Sequence, residues 1–343
     1  MAKIKTDSNE SYKILADSIK AGQIGSFYIF HGEERYLLEH CLGSIRSFIC
    51  PEGLDGFNYK RFEGKGLQIA DIEDAVDTLP VFAERTLVEI HDFDVFGNAE
   101  KLRLVDVFSD LPDYICVVIV YDTLVYKPDG RIGADKKILS AAKAVEFTVQ
   151  EENMLVKWIT RHFRDAGKLI GAADAEYLIH ITGGYMSPLH GEIEKVAAYA
   201  TNERVTRADI DAVVTPVLDA VVYRLTDALV RRQHGAAMRI LDELLRMREA
   251  PQMIMFSISS KMRQFLAARV CIENRLDTKA LIDMSGIKHE FQAKMLMDTA
   301  RKTTLSGCRE AVLHCADTAF ALNSAPEPET RLVELIARLA YTL

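Results

Sequence analysis

The chain lacks the features that mark secreted, metal-binding and membrane proteins. Six cysteines occur in 343 residues, but they form no Cys-x-x-Cys pair and no regular framework, which predicts buried free thiols in a reducing compartment. No apolar run approaches the roughly 18 residues that a membrane span needs, and the first residues lead into no apolar signal core. We therefore expect a soluble cytoplasmic protein.

An excess of positive charge is also missing. The formal net charge is −8, which argues against a free-standing DNA-binding protein that relies on phosphate neutralisation. The composition is 49% hydrophobic and 27% charged, as in a globular protein, and the length predicts two or three domains. The C-terminal third is mildly basic, but acids are interspersed among its basic residues, which is typical of solvated helix faces.

The turn after the first predicted strand has the layout of a phosphate-binding loop without its essential residues. An apolar strand runs into Gly32 and then into a helix. A Walker A loop has the pattern Gly-x-x-x-x-Gly-Lys-Ser/Thr, whose amides cradle phosphates while the lysine neutralises them. Counted on from Gly32, the last three positions hold Leu37, Leu38 and Glu39. A nucleotide-binding architecture with this loop has lost the nucleotide.

Strand and helix patterns alternate up to residue 147, and only helical patterns follow. Strands are predicted over residues 26–30, 59–62, 85–91, 115–121 and 145–147. The alternation predicts an α/β domain, residues 1–147, with a mostly parallel sheet and flanking helices. Two all-α domains are predicted after it, residues 148–213 and 214–343, with their joint at 209–216.

A segment of the second domain has the spacing of a phosphate-sensing motif without its charge. In ATPases of the AAA+ class, the helical lid carries Gly-x-x-Arg-x-Leu, and the arginine reaches the γ-phosphate. Here Gly184 is followed by Ser187 at the arginine position and by Leu189. An ordinary glycine helix stop followed by a helix over 187–201, capped by Ser187 with Pro188 in its first turn, explains the segment equally well.

Residues 78–85 place apolar side chains on a connecting loop. The sequence is Thr-Leu-Pro-Val-Phe-Ala-Glu-Arg, directly after a predicted helix. Because loops prefer the surface, such side chains are either anchors in the core or a wedge that binds a partner. Taken alone, the segment favours the core interpretation.

The remaining polar residues suggest no chemistry. His31 follows a strand end and is expected to face solvent, and the later histidines lack the spacing of metal ligands. Glu33 and Glu34 form a carboxylate pair, but acids in a first helical turn are expected from the helix dipole alone. We predict no catalytic residue, no metal site and no cofactor.

In order and spacing, these segments resemble the delta-subunit family of bacterial DNA polymerase III. The resemblance is carried by residues 27–38, 79–90, 182–199, 261–265 and 331–339, and it covers nearly the whole chain. It implies an AAA+-like domain without a Walker A loop over 1–147, a helical lid over 148–213 and a helical collar over 214–343 through which a clamp loader assembles.

The resemblance also implies a clamp-binding site and a set of partners. The site would be the loop of Thr78, Leu79, Pro80, Val81 and Phe82, docked in a hydrophobic pocket of the sliding clamp, the beta subunit. Clamp-binding peptides resemble Gln-Leu-x-Leu-Phe, so that Thr78 replaces the glutamine and Val81 a leucine. Implied partners are gamma or tau ATPase subunits, a delta-prime subunit, and primed DNA through the assembled complex, without a membrane. Polymerase activity would belong to the holoenzyme.

Two other functions are compatible with the residues themselves. One is an NTPase that uses an atypical phosphate loop, and the other is a helical scaffold that keeps the fold but not the wedge. Nucleotide binding distinguishes the first from a clamp-loader subunit, and retention of purified clamp distinguishes the second.

Overall fold

The computed structural model describes residues 8–50, 55–287, 290–322 and 327–343. The chain divides into two compact units, Met1–Val149 and Gln150–Leu343. All six cysteines are buried free thiols, as predicted. Within the described ranges, no helix has the length and apolar character to cross a membrane, and no three potential metal ligands cluster.

Unit 1 is a parallel sheet flanked by helices, which confirms the predicted fold class. Its elements are α1 (Ser8–Lys20), β1 (Phe27–Gly32), α2 (Arg35–Ile49), α3 (Asp55–Asn58), β2 (Tyr59–Glu63), α4 (Ile69–Val76), β3 (Thr86–His91), α5 (Lys101–Ser109), β4 (Ile115–Val120), α6 (Gly133–Ala141) and β5 (Lys143–Phe147). The strand order is β2-β3-β4-β1-β5, and every pairing is parallel.

The direction of the strands gives the sheet two different edges. β3 and β4 are buried along their whole length, as expected for central strands that helices cover on both faces. Because all strands run the same way, their N-terminal ends lie along one side of the sheet, called here its N-terminal edge. Their C-terminal ends lie along the opposite side, called here its C-terminal edge. The loop that enters β3 and the turn that leaves β1 therefore lie at opposite edges.

The described part of unit 2 is helical. Its elements are α7 (Glu152–Asp165), α8 (Ala172–Thr182), α9 (Met186–Tyr199), α10 (Arg207–Val213), α11 (Leu218–Val230), α12 (His234–Arg246), α13 (Pro251–Glu273), α14 (Thr278–Ser285), α15 (Glu290–Ala300), α16 (Leu305–Leu322) and α17 (Pro328–Thr342). One apolar cluster joins α11 to α17. The division into a lid, 148–213, and a collar, 214–343, stays a prediction.

One local prediction in unit 2 was wrong. Ser187 does not cap α9, because the helix begins at Met186, with Tyr185 at the capping position. Met186 is buried, so an earlier start places an apolar side chain in the core. Part of the predicted joint at 209–216 is helical, because α10 runs to Val213 and begins with a capping box between Thr206 and Asp209. The joint itself stays a prediction.

Candidate functional site

The loop between α4 and β3 presents its apolar side chains to solvent. Phe82 is 87% exposed, Leu79 is 67% exposed and Val81 is 38% exposed, whereas Pro80 is half-buried. A core anchor would be covered, so the core interpretation of this segment does not describe these three side chains. Adjacent exposed apolar groups on one loop are characteristic of an interaction site.

Phe82 also has an unusual backbone conformation. Its φ is 56°, in the left-handed region that residues with a side chain rarely adopt. Such a conformation costs on the order of 1–2 kcal/mol and persists only where surrounding contacts impose it. The loop therefore holds its most exposed aromatic ring in a conformation that is unfavourable for an isolated chain.

Three attachments impose the course of this loop, and the first is at Val81. The side chain of Asn58, fully buried at the end of α3, donates to the Val81 carbonyl oxygen through Nδ2 at 2.7 Å. Its Oδ1 accepts from the Val81 amide, also at 2.7 Å. The Asn58 carboxamide thus bonds both the amide and the carbonyl group of Val81, as the backbone of a neighbouring strand would.

The other two attachments are at the ends of the loop. Thr78 Oγ1 donates to the Asp74 carbonyl oxygen at 2.7 Å and accepts from Lys60 Nζ at 2.6 Å. The Arg85 guanidinium donates to three carbonyl oxygens at the N-terminal edge of the sheet, those of Ile24, Gly25 and Ile115, at 2.7–2.9 Å. The apolar side chains between these points are exposed on a backbone that is fixed in place.

The opposite edge of the sheet, where a phosphate-binding loop would bind its ligand, is occupied by the chain's own groups. Glu34, 1% exposed, is at the N-cap of α2, and its carboxylate accepts from the Tyr36 amide at 3.3 Å. A carboxylate at a helix N-terminus takes the place that favours a phosphate. Gly32 leaves β1 with φ at 128°, and a Cβ there would collide with the Phe147 carbonyl oxygen.

A set of ion pairs lies beyond this turn. Arg35 Nη1 pairs with Asp122 Oδ1 at 2.6 Å, and its Nη2 donates to the Asp122 carbonyl oxygen. Asp122 Oδ2 lies 2.6 Å from Nδ1 of the buried His91, whose Nε2 lies 3.5 Å from Glu89 Oε2. Arg46 holds the other side of Glu89 with hydrogen bonds of 2.8–3.1 Å.

This network shifts the pKa values of its buried members. Burial of Glu89 would raise its pKa, but the nearby His91 ring and hydrogen bonds from Arg46 and Tyr59 outweigh burial and lower it. The nearby Glu89 carboxylate raises the pKa of His91 against the opposing effect of burial, with help from Asp122. Each charge in the network therefore stabilises its partner.

Two other residues considered from the sequence, His31 and Ser187, lie outside this loop. His31 was expected to face solvent, but its ring stacks on Tyr126 at 3.8 Å, and burial lowers its pKa to about 4. Ser187 is exposed on α9, where the phosphate-sensing arginine of an ATPase lid would stand. The structure thus places the five residues 78–82 together, at the edge of the sheet away from Gly32.

Sequence reasoning missed the residues that hold the loop. Asn58 and Lys60 belong to no motif, and Asn58 is separated from Val81 by 23 residues. Arg85 ends the segment 78–85, but the sequence assigned it no role. The parallel pairing of β2 with β3 brings Asn58 and Lys60 beside the loop. The polar residues at the start of β2, Asn58 and Lys60, fit a solvated turn equally well.

Comparison with known proteins identifies two matching family models. The model "DNA polymerase III, delta subunit" matches residues 28–153, and the model "DNA polymerase III delta subunit, C-terminal domain" matches residues 219–338. Together they account for parts of both units.

Individual relatives agree with these models. DNA polymerase III subunit delta of Bacillus subtilis strain 168 is 26% identical over 329 residues, 93% of each chain. The probable DNA polymerase III subunit delta of Aquifex aeolicus strain VF5 is 24% identical over 274 residues, 77% of this chain and 76% of the relative. The solved structure of the Bacillus subtilis DNA clamp loader delta protein shares the fold, with a TM-score of 0.57, 22% identity, and coverage of 96% of this chain and 99% of that one.

Proposed function

Because this chain belongs to the DNA polymerase III delta-subunit family, we propose that it binds the sliding clamp through residues 78–82 and helps to open it. The observation that carries the proposal is the loop itself, with Leu79, Val81 and Phe82 exposed on a backbone that buried groups hold in place. An exposed apolar cluster is unfavourable in a free protein, and a partner that covers it accounts for its presence.

The loop has the energetic character of a binding hot spot. Full burial of one aliphatic and one aromatic side chain contributes roughly 1.5–3 kcal/mol each. The fixed backbone reduces the ordering cost that a flexible loop would add on binding. Two such side chains in a hydrophobic pocket of the clamp are sufficient for a specific contact.

Opening of the clamp follows if the loop binds the open ring more tightly than the closed ring. A ligand shifts a two-state equilibrium only by its differential affinity for the two states. A protein that inserts a wedge beside a clamp interface prefers the state in which that interface is strained or parted. The expected signature is tighter binding to a clamp variant that cannot close than to the intact ring.

Energy for loading would come from partner subunits. The Glu34 carboxylate and the Arg35–Asp122 pair occupy the edge where an ATPase of this architecture binds nucleotide. We therefore assign ATP hydrolysis to gamma or tau subunits, with delta-prime and this chain as further members of a cytoplasmic loader that joins through residues 214–343. Contact with primed DNA would arise in the assembled complex, and this chain would contribute no catalytic site.

Retention of purified clamp by the immobilised chain tests the proposal. The wild-type chain should retain the clamp, and a variant with Val81→Ala and Phe82→Ala should not, while both show the same circular dichroism. Equal retention by the two chains would refute residues 78–82 as the site. Absence of retention by the wild-type chain would favour a helical scaffold without a role at the clamp.

A further inference from the structure

We propose that Asn58 is the positioning residue of the clamp-binding loop and holds Val81 and Phe82 in their binding orientation before the clamp arrives. The inference rests on the proposed function and deepens it, because it assigns the preorganisation of the loop to one side chain outside the loop. Asn58 would touch no atom of the clamp.

The position of Asn58 suits this role. It is the last residue of α3 and directly precedes β2, so that a helix end and a strand start restrict its backbone. Cys50 Sγ donates to its carbonyl oxygen at 3.1 Å. Its side chain is fully buried, and its two hydrogen bonds to Val81 are therefore screened from competing water.

The chemistry of the contact requires a carboxamide. The Val81 amide needs an acceptor and the Val81 carbonyl needs a donor, and a side-chain amide offers both in one plane. Aspartate would offer acceptors alone and would repel the carbonyl oxygen, and alanine would offer neither. Asparagine is thus the side chain that meets both groups at this length.

The loop needs such an attachment at this point. Phe82, the neighbour of Val81, has φ at 56°, a conformation that the chain does not hold without support. Pro80 on the other side has a fixed φ. Release of Val81 would let residues 81–84 explore other conformations, and the clamp would then have to order them at the expense of affinity.

A clamp titration separates this role from ordinary stabilisation of the fold. Asn58→Ala should weaken clamp binding about tenfold, because two buried hydrogen bonds no longer preorganise the loop. The matched control is Val145→Ala, a buried position on β5, the outermost strand on the side of the sheet away from β2. This control should destabilise unit 1 without changing clamp affinity.

A double-mutant cycle shows whether Asn58 acts through the loop. In a chain that already carries Phe82→Ala, the further change Asn58→Ala should weaken binding much less than it does alone, because the ring that it positions is gone. The same loss of affinity in both backgrounds would overturn the inference. So would an Asn58→Ala chain that binds as tightly as the wild type.

Hydrogen exchange on the wild-type chain gives an independent test without any clamp or variant. The Val81 amide, bonded to a buried acceptor, should exchange at least about tenfold more slowly than in an unstructured peptide. Exchange at the unstructured rate would overturn the inference even if Asn58→Ala failed to fold. If the wild-type chain did not bind clamp, the proposed function would fail, whereas slow exchange of Val81 would still support the attachment.

Discussion

Phe82 combines two properties that a protein rarely tolerates in one residue. Its ring is the most exposed of the loop, and its backbone is left-handed. Neither the exposed ring nor the left-handed backbone stabilises the fold. Residues of this kind are expected at functional sites, where function is kept at a cost in stability.

Replacement of Phe82 by glycine should separate these two effects. Glycine adopts positive φ without a steric cost, so Phe82→Gly should leave the free energy of unfolding unchanged or raise it by up to about 1 kcal/mol. The same change removes the ring and should weaken clamp binding about tenfold or more. Urea unfolding and a clamp titration measure the two quantities. A large loss of stability would show that the ring packs in the fold.

Thr78 occupies the position of the glutamine in clamp-binding peptides, but its hydroxyl is already used within the chain. It caps the end of α4 through Asp74 and accepts from Lys60. We expect Thr78→Val to lower the free energy of unfolding by about 1 kcal/mol and to change clamp affinity less than Phe82→Ala does. A larger loss of affinity for Thr78→Val would mean that the hydroxyl contacts the clamp directly.

The apolar residues of the loop were identified from the sequence, but their exposure could not be. The order Leu79, Pro80, Val81, Phe82 is compatible with a buried anchor and with a wedge, since both need apolar side chains. The exposed fractions of these side chains decide between the two, and Asn58, which holds the loop, acts across strands that only the folded chain brings together. From one sequence, the segment of the candidate site can therefore be predicted, but not the exposure of its side chains.

At the scale of elements, the C-terminal ends of β3 and β4 carry a network of coupled charges. Glu89, with its lowered pKa, contributes stability above its ordinary pKa near 4.5 and loses it as the pH falls through its folded value. His91 has a raised pKa, so its contribution is complete below its ordinary value near 6.5 and is lost as the pH rises through its folded value.

This sign predicts a pH-dependent difference between the wild type and His91→Gln. The wild-type chain should exceed the variant in free energy of unfolding by more at pH 6 than at pH 9, because the imidazolium that pairs with Glu89 and Asp122 is lost at the higher pH. Urea unfolding at the two pH values measures the difference. An equal gap at both would show that the charge of His91 contributes nothing.

The residues at the turn from β1 into α2 lead us to expect that the isolated chain does not bind ATP. Glu34 repels a phosphate at the helix N-terminus, and Arg35 is paired with Asp122. Calorimetric titration of the isolated chain with Mg-ATP should therefore give no binding up to millimolar concentration. A micromolar dissociation constant would contradict the account and favour the NTPase alternative.

Element positions followed from the sequence where apolar periodicity was strong. The strands of unit 1 and their parallel arrangement were predicted, because alternation with helices permits few other arrangements. α5 and α6 were not predicted, because their apolar faces are short and interrupted by charges. α10 was not predicted, and its second half lies within the predicted joint at 209–216. Its capping box of Thr206 and Asp209 was a usable signal.

In the whole molecule, the two edges of the sheet of unit 1 carry different groups. One edge carries internal ion pairs, and the other presents an apolar loop. The family membership was recognisable from the sequence because several segments kept their order and spacing across both units. Clamp binding by residues 78–82 is a proposal.

Whether Phe82 binds the clamp can be decided by one titration. Clamp affinity is measured for the wild type, for Phe82→Ala and for Val125→Ala, a control residue that is 79% exposed in the loop after β4, at the opposite edge of the sheet. The account predicts a loss of about tenfold or more for Phe82→Ala and none for Val125→Ala, with unfolding unchanged in both. Equal affinities for all three chains would contradict it.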